Sequence, residues 1–273
     1  MASVISLYQY RKEQWDTLQL APTPIIEKRF FAGDSVLKHI ELPDGIKLLG
    51  DAAFENCSAL ETVILPDSLV KTGKNVFKNC RQLKSVNLPK NLTEIERGSF
   101  RNCTALETIE LPEKIKAIRA YAFENTAVRK MILPDRLQIV EQGAFDNCKN
   151  LQEIHFSRNL TSIGDYAFRW CAFPVIKLPG RVQHIGDGAF SKNKVLQGVL
   201  IPPSVTDLGQ GVFSSCPALK KIIFLGDPVI VEGKLFGNNK NVVVMCQPGT
   251  QIEAYCQANG LACRLLTRAK QDQ

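Results

Sequence analysis

The chain has 273 residues and a formal charge of +7, from 34 Lys and Arg against 27 Asp and Glu. No basic run is longer than two and acidic residues are interspersed throughout, which argues against the clustered basic face of a nucleic-acid binder and describes a solvated surface. Nowhere do roughly 18 apolar residues follow one another, so no helical membrane span is expected.

Residues 1–30 precede any clear repeat and are expected to form an N-terminal cap, with a degenerate unit around Leu20 to Phe31. Trp15, Leu18 and Leu20 give no clean period. The opening MASVISLYQYRKEQW lacks a basic leader, a long apolar stretch and a small-residue cleavage site, so it does not read as a secretory signal.

From there one phenylalanine recurs: Phe31, Phe54, Phe77, Phe100, Phe123, Phe145, Phe168, Phe190, Phe213 and Phe236, at steps of 23 or 22 residues. A fixed period of this size marks a solenoid, in which each unit buries its apolar face against its neighbours. Leu88–Pro112 is one unit plus the opening of the next. Within it Leu106–Leu111 is expected to be a strand with Ile109 and Leu111 inward, stopped by Pro112. A second apolar pair stands eight and five residues before most of these phenylalanines, as in Leu92/Ile95 and Val182/Ile185. Gly50, Gly73, Gly164, Gly186 and Gly209 follow such pairs and are expected to supply tight turns, with positive φ where needed.

The pattern departs in particular places. Two units, Phe123 to Leu133 and Phe168 to Leu178, are one residue short between phenylalanine and leucine and need a tighter turn. The second also has Trp170 where asparagine usually stands and Pro174 inside the expected strand. Six of nine cysteines (Cys57, Cys80, Cys103, Cys148, Cys171 and Cys216) lie three residues after a phenylalanine, with Thr126 and Asn193 as substitutes. They form a column of small buried side chains, expected to be reduced. Cys246, Cys256 and Cys263 have no metal-ligand spacing, and cap cysteines such as Cys256 are expected to react sooner than the column.

Val242–Met245 reads as a buried strand. Thr250 is the expected N-cap of a helix over Gln251–Asn259, stopped by Gly260, that lays Ile252, Tyr255 and Cys256 over the open end of the core.

The pattern LP-x-x-L/V-x-x-I-G-x-x-A-F-x-N-C-x-x-L-x-x-I-x-LP resembles the BspA-like leucine-rich repeat over roughly residues 31 to 245, with 246–273 similar to the terminal elements that close such arrays. The resemblance implies a right-handed, curved solenoid, α/β or mainly β, with a parallel sheet on its concave face. It also implies a non-catalytic interaction scaffold for a protein partner, of a kind frequent in bacterial adhesion or host interaction.

The residues themselves offer no catalytic motif, cofactor loop or metal set. His155 and Cys148 alternate to opposite sides of the chain and cannot pair. The expected contact residues lie on the outward strand columns: Lys130, Ile132, Glu153, His155, Lys177, Leu200, Lys221 and Ile223. Ile132, Leu200 and Ile223 are singled out because aliphatic groups there have no evident packing reason to face outward. The alternative is an intracellular nucleic-acid-binding protein or an enzyme with its site outside the repeats. A monomer is expected. Free thiols and the absent leader point to the cytosol for the chain as it stands, or to a cell surface if it has been trimmed.

Overall fold

The computed structural model describes residues 17–19, 24–230 and 233–266. They build a parallel-stranded solenoid of about ten turns spaced about 23 residues apart. Most turns present a short strand with a buried middle residue, alternating exposed, buried, exposed in His39–Glu41, Ser85–Asn87, Lys130–Ile132 and Val175–Lys177. Strands of successive turns pair in step, His39 with Thr62 and Thr62 with Ser85. The pairing reaches back to Thr17–Gln19, which lies on His39–Glu41, and Ile25–Ile26 lies on Leu48–Leu49. The rest of the expected cap, residues 1–16 and 20–23, and the tail 267–273 lie outside the described residues.

The core is a column of phenylalanine rings. From Phe31 to Phe236 the nine successive pairs stack with centroids 4.7 to 6.2 Å apart and planes within 19° of parallel. Each pair of this kind adds about 0.5–1.5 kcal/mol beyond area burial. At one end Phe30 closes the column edge-on at 4.7 Å.

The cysteine column has a purpose that packing alone did not suggest. Each Sγ donates to the backbone carbonyl of the phenylalanine one turn back: Cys57 to Phe31, Cys80 to Phe54, Cys103 to Phe77, Cys148 to Phe123, Cys171 to Phe145 and Cys216 to Phe190, at 3.0–3.4 Å. Buried carbonyls need a donor, and a thiol is the smallest apolar side chain that supplies one. Asn193 does the same for Phe168 at 2.9 Å.

Four expectations need correction. Leu106–Leu111 forms no strand, although Ile109 is buried as expected and Leu111 is partly so. The turn after it is one of the two short ones, with one residue instead of two between Thr126 and its inward Val128, and Lys130–Ile132 begins a separate sheet. The other short turn also opens a new sheet, and there the cause is direct. In neighbouring turns the residue just before the strand donates its N–H to the equivalent carbonyl one turn back, as Lys84 does to Glu61 and Gln152 to Arg129. Pro174 occupies that place and has no N–H to give.

The glycines act by size, not by backbone freedom. Gly50, Gly73, Gly164, Gly186 and Gly209 do not have positive φ. A Cβ at Gly186 would sit 2.5 Å from the backbone nitrogen of Asp165 in the preceding turn. The left-handed positions lie two residues before and two after the phenylalanine, as at Tyr166 and Trp170 around Phe168.

The second apolar pair, read only as core, forms its own parallel ladder of two-residue strands. Glu94–Ile95 through Val229–Ile230 make one seven-stranded sheet, and Ile25–Ile26, Leu48–Leu49 and Lys71–Thr72 make a three-stranded one. The gap falls where Thr72 replaces the usual aliphatic residue.

At the C-terminal end the helix spans Gln251–Asn259, capped by Thr250 and by Gly260 at φ 63°, as expected. Ala262–Leu265 then adds a further parallel strand to Val243–Cys246. Cys256 is fully buried beneath the helix, so its expected early reactivity is not supported. Cys263 is the partly exposed thiol, with its Sγ 3.5 Å from that of Cys246.

Candidate interaction face

The longer strands of each turn line one face, and their outward residues form two columns. Pairing in step places Lys130 beside Glu153 and Ile132 beside His155 on one small sheet. On the next sheet Lys177, Leu200, Ile223 and Met245 form one row, and Val175, Gly198, Lys221 and Val243 the other. The structure therefore divides the eight expected residues into two groups, separated by the missing ladder ahead of Val175.

In the first group the charges satisfy one another. One oxygen of Glu153 takes Lys130 Nζ at 2.8 Å and His155 Nε2 at 2.6 Å. The Lys130 contact, then that of His155, holds the Glu153 carboxyl below its ordinary range. This trio is solvated and contributes little to stability, but it presents a nearly neutral polar patch beside Ile132, which is 61% exposed.

The second group is more apolar than the sequence columns implied and less protruding. Val175 is 63% exposed, while Leu200, Ile223, Val243 and Met245 are half-buried. Side chains in step on adjacent strands shield one another, which gives Leu200 and Ile223 a packing role. Val175, Val243 and Met245 belong to the same surface. The alternation that turns Lys130 and Glu153 outward turns Val175 outward as well, and its β-branched, uncharged side chain was the available signal.

The more polar end of the face is partly committed to structure. Asn87 accepts from the Leu65 N–H at 2.7 Å and donates to the Leu65 carbonyl at 2.9 Å, while His39 bonds Thr62 at 2.7 Å. His155 faces solvent whereas Cys148 is buried and bonded to the Phe123 carbonyl. Among the described residues no three His, Cys, Asp or Glu side chains could jointly hold a metal ion, and no helix is long and apolar enough to cross a membrane.

Stacked turns of this period, with an inward strand residue, a phenylalanine column and a cysteine or asparagine bonding back one turn, define a leucine-rich repeat protein. The chain belongs to the BspA type leucine rich repeat family, whose model matches residues 24–135 and 116–243. Its fold is similar to that of a leucine-rich repeat protein from Bacteroides ovatus, with a TM-score of 0.67 and 23% identity over 84% of this chain and 69% of that one. It is also similar to the pneumococcal vaccine antigen PcpA, with a TM-score of 0.55 and 17% identity over 90% and 77% of the two chains. A leucine-rich repeat protein from Eubacterium ventriosum shares the fold at a TM-score of 0.53 and 20% identity, over 77% and 66%. No curated protein matches the chain.

Proposed function

We propose that this protein is a non-catalytic scaffold that binds a protein partner on its strand face, with the contact centred between Lys130 and Ile223. The observation that carries the reading is the pair of outward aliphatic side chains, Ile132 at 61% and Val175 at 63% exposure. They stand in the turns that precede the half-buried row of Leu200, Ile223 and Met245. Strands about 4.7–4.9 Å apart make a ribbon on the order of 40 Å long over nine turns, enough for an interface of standard size. Lys130, Glu153, His155, Lys177 and Lys221 form the polar rim, and apolar centres with polar rims are the usual anatomy of such contacts. Adhesion or host interaction is the setting that fits a scaffold of this family.

The test is affinity capture of a partner by the wild-type chain, followed by the same capture with Ile132→Ser/Val175→Ser and with Ser85→Ala/Thr108→Ala. Both altered pairs are exposed, so each variant should fold. Loss of capture with the first pair only is expected. Retained capture with the first pair, or loss with the second alone, refutes the assignment.

A further inference from the structure

Two residues after each core phenylalanine from Phe31 to Phe213 the backbone turns left-handed, and most of these turns place asparagine there. Asn56, Asn79, Asn102, Asn125 and Asn147 have φ between 57° and 64°. Their amides form a ladder, in which each Nδ2 after that of Asn56 donates to the Oδ1 one turn back at 2.7–3.0 Å. Asparagine tolerates this conformation, and the ladder explains its use.

The ladder stops at Trp170. Trp170, Lys192 and Ser215 keep the left-handed backbone, at φ 59°, 61° and 56°, without the side chain that suits it. A bulky residue held there is strained, and such strain collects at functional sites.

What replaces the ladder is an open depression of about 820 Å³. Trp170 is its aromatic wall, and Lys192 Nζ and Lys194 Nζ stand 5.2 and 5.3 Å from the centre of its ring. Neither lysine has a carboxylate partner among the described residues, and no Asp or Glu lines the depression. Elsewhere the basic side chains are often paired across turns, as Arg119 is with Glu94 and Glu141. Two ammonium groups gathered on one indole and left without counter-charge make an anion site. Asn238 and Asn241 add side-chain amides that make no hydrogen bond within the described residues, and Ser215 adds a hydroxyl. Asn239, in contrast, is spent on the Cys216 and Leu219 carbonyls.

We infer that this depression binds an acidic saccharide, with the Lys192 and Lys194 ammonium groups on a sugar carboxylate. The volume is that of a ligand pocket and far exceeds an inorganic anion. Amides and a hydroxyl beside the charges suit the vicinal hydroxyls of a sugar ring. The indole adds an apolar surface for the C–H face of a sugar ring. A nucleotide fits less well, because Lys192 and Lys194 already compete for the indole on which a base would stack. This site lies apart from the proposed strand-face contact and does not depend on it.

The test is calorimetric titration of the full chain with trigalacturonate, galactotriose and ATP at about 50 and 300 mM salt. Trigalacturonate should bind at least about tenfold more tightly than galactotriose and weaken with salt, as exposed charge contacts do. Trp170→Asn restores the residue of the other turns and should melt no lower than wild type. It and Lys192→Gln/Lys194→Gln should each weaken trigalacturonate binding about tenfold or more. The inference is overturned by no binding of trigalacturonate or by equal binding of galactotriose. Tighter binding of ATP overturns it too, as do folded variants that bind as wild type does.

Discussion

Tyr255 ends the column that Phe236 would otherwise leave open. Its ring lies 6.4 Å from that of Phe236, tilted by 60°, and its hydroxyl accepts the backbone N–H of Leu235 at 2.8 Å. One side chain thus covers the last apolar ring and satisfies a backbone donor in the same turn. Tyr255→Phe keeps the cover and loses the bond, so it should cost about 1 kcal/mol. Tyr255→Ala should cost about twice that or more, with faster amide exchange confined to the last two turns. Equal unfolding midpoints for the two variants would show that the ring contributes nothing.

Within the column, Phe100 lies between Phe77 and Phe123 at 5.5 and 5.4 Å. Phe100→Ala should destabilise the protein by about 3–5 kcal/mol. Because turns couple only to neighbours, hydrogen exchange should rise most in the turns of Phe77, Phe100 and Phe123. Uniform loss of protection along the whole chain would contradict nearest-neighbour coupling.

The thiol column makes stability sensitive to alkali. Burial pushes the Cys148 thiol up to about 12 and Cys216 up to about 11, from an ordinary value of 9.0. Above about pH 9 the unfolded chain releases these protons while the folded chain keeps them. The unfolded state then binds fewer protons, and stability falls as pH rises until the folded thiols ionise in turn. Each thiol accounts for at most about 1.4 kcal/mol per pH unit in that window. The urea midpoint should therefore drop between about pH 8.5 and 10.5, and less steeply in Cys148→Ala/Cys216→Ala. Parallel slopes for variant and wild type would remove the thiols from the explanation.

Gly186 leaves no room for a side chain. A Cβ there would meet the backbone nitrogen of Asp165 at 2.5 Å and its Oδ1 at 2.3 Å. That Asp165 oxygen accepts the Asp187 N–H at 2.8 Å, so moving it aside breaks a contact between turns. Gly186→Ala should cost about 1–3 kcal/mol or more. Gly180, with nothing near its Cβ position, is the control, and Gly180→Ala should change the midpoint little. Equal effects would mean that Gly186 acts through the unfolded chain.

The sequence carried the fold because the phenylalanine is copied almost without error, and a column of equal residues can be read as a spacing. The C-terminal helix was legible for a local reason: Thr250 and Gly260 bound it at both ends. What escaped depends on the turn next door. Pro174 reads as a strand residue until its missing N–H is set against the carbonyl one turn back. Gly186 reads as a flexible turn until Asp165 is seen beneath it. The outward columns of the candidate face followed from alternation alone, so Ile132 was placed correctly as exposed. Leu200 and Ile223 were not, since their burial comes from the strands on either side.

The interruptions in the two sheets coincide at one place only. On the strand face they fall on either side of Leu106–Leu111 and again before Val175, while the sheet of two-residue strands is interrupted only between Lys71–Thr72 and Glu94–Ile95. Between the turns of Phe77 and Phe100 both sheets lapse together, whereas at the later interruptions the sheet of two-residue strands runs on, and the column of rings passes through them all. At that joint the stacked rings and the backbone bonds of the turns, such as Phe77 N–H to the Ser99 carbonyl, stand in for the missing ladders. A bending load should therefore be felt there before it is felt anywhere else along the stack.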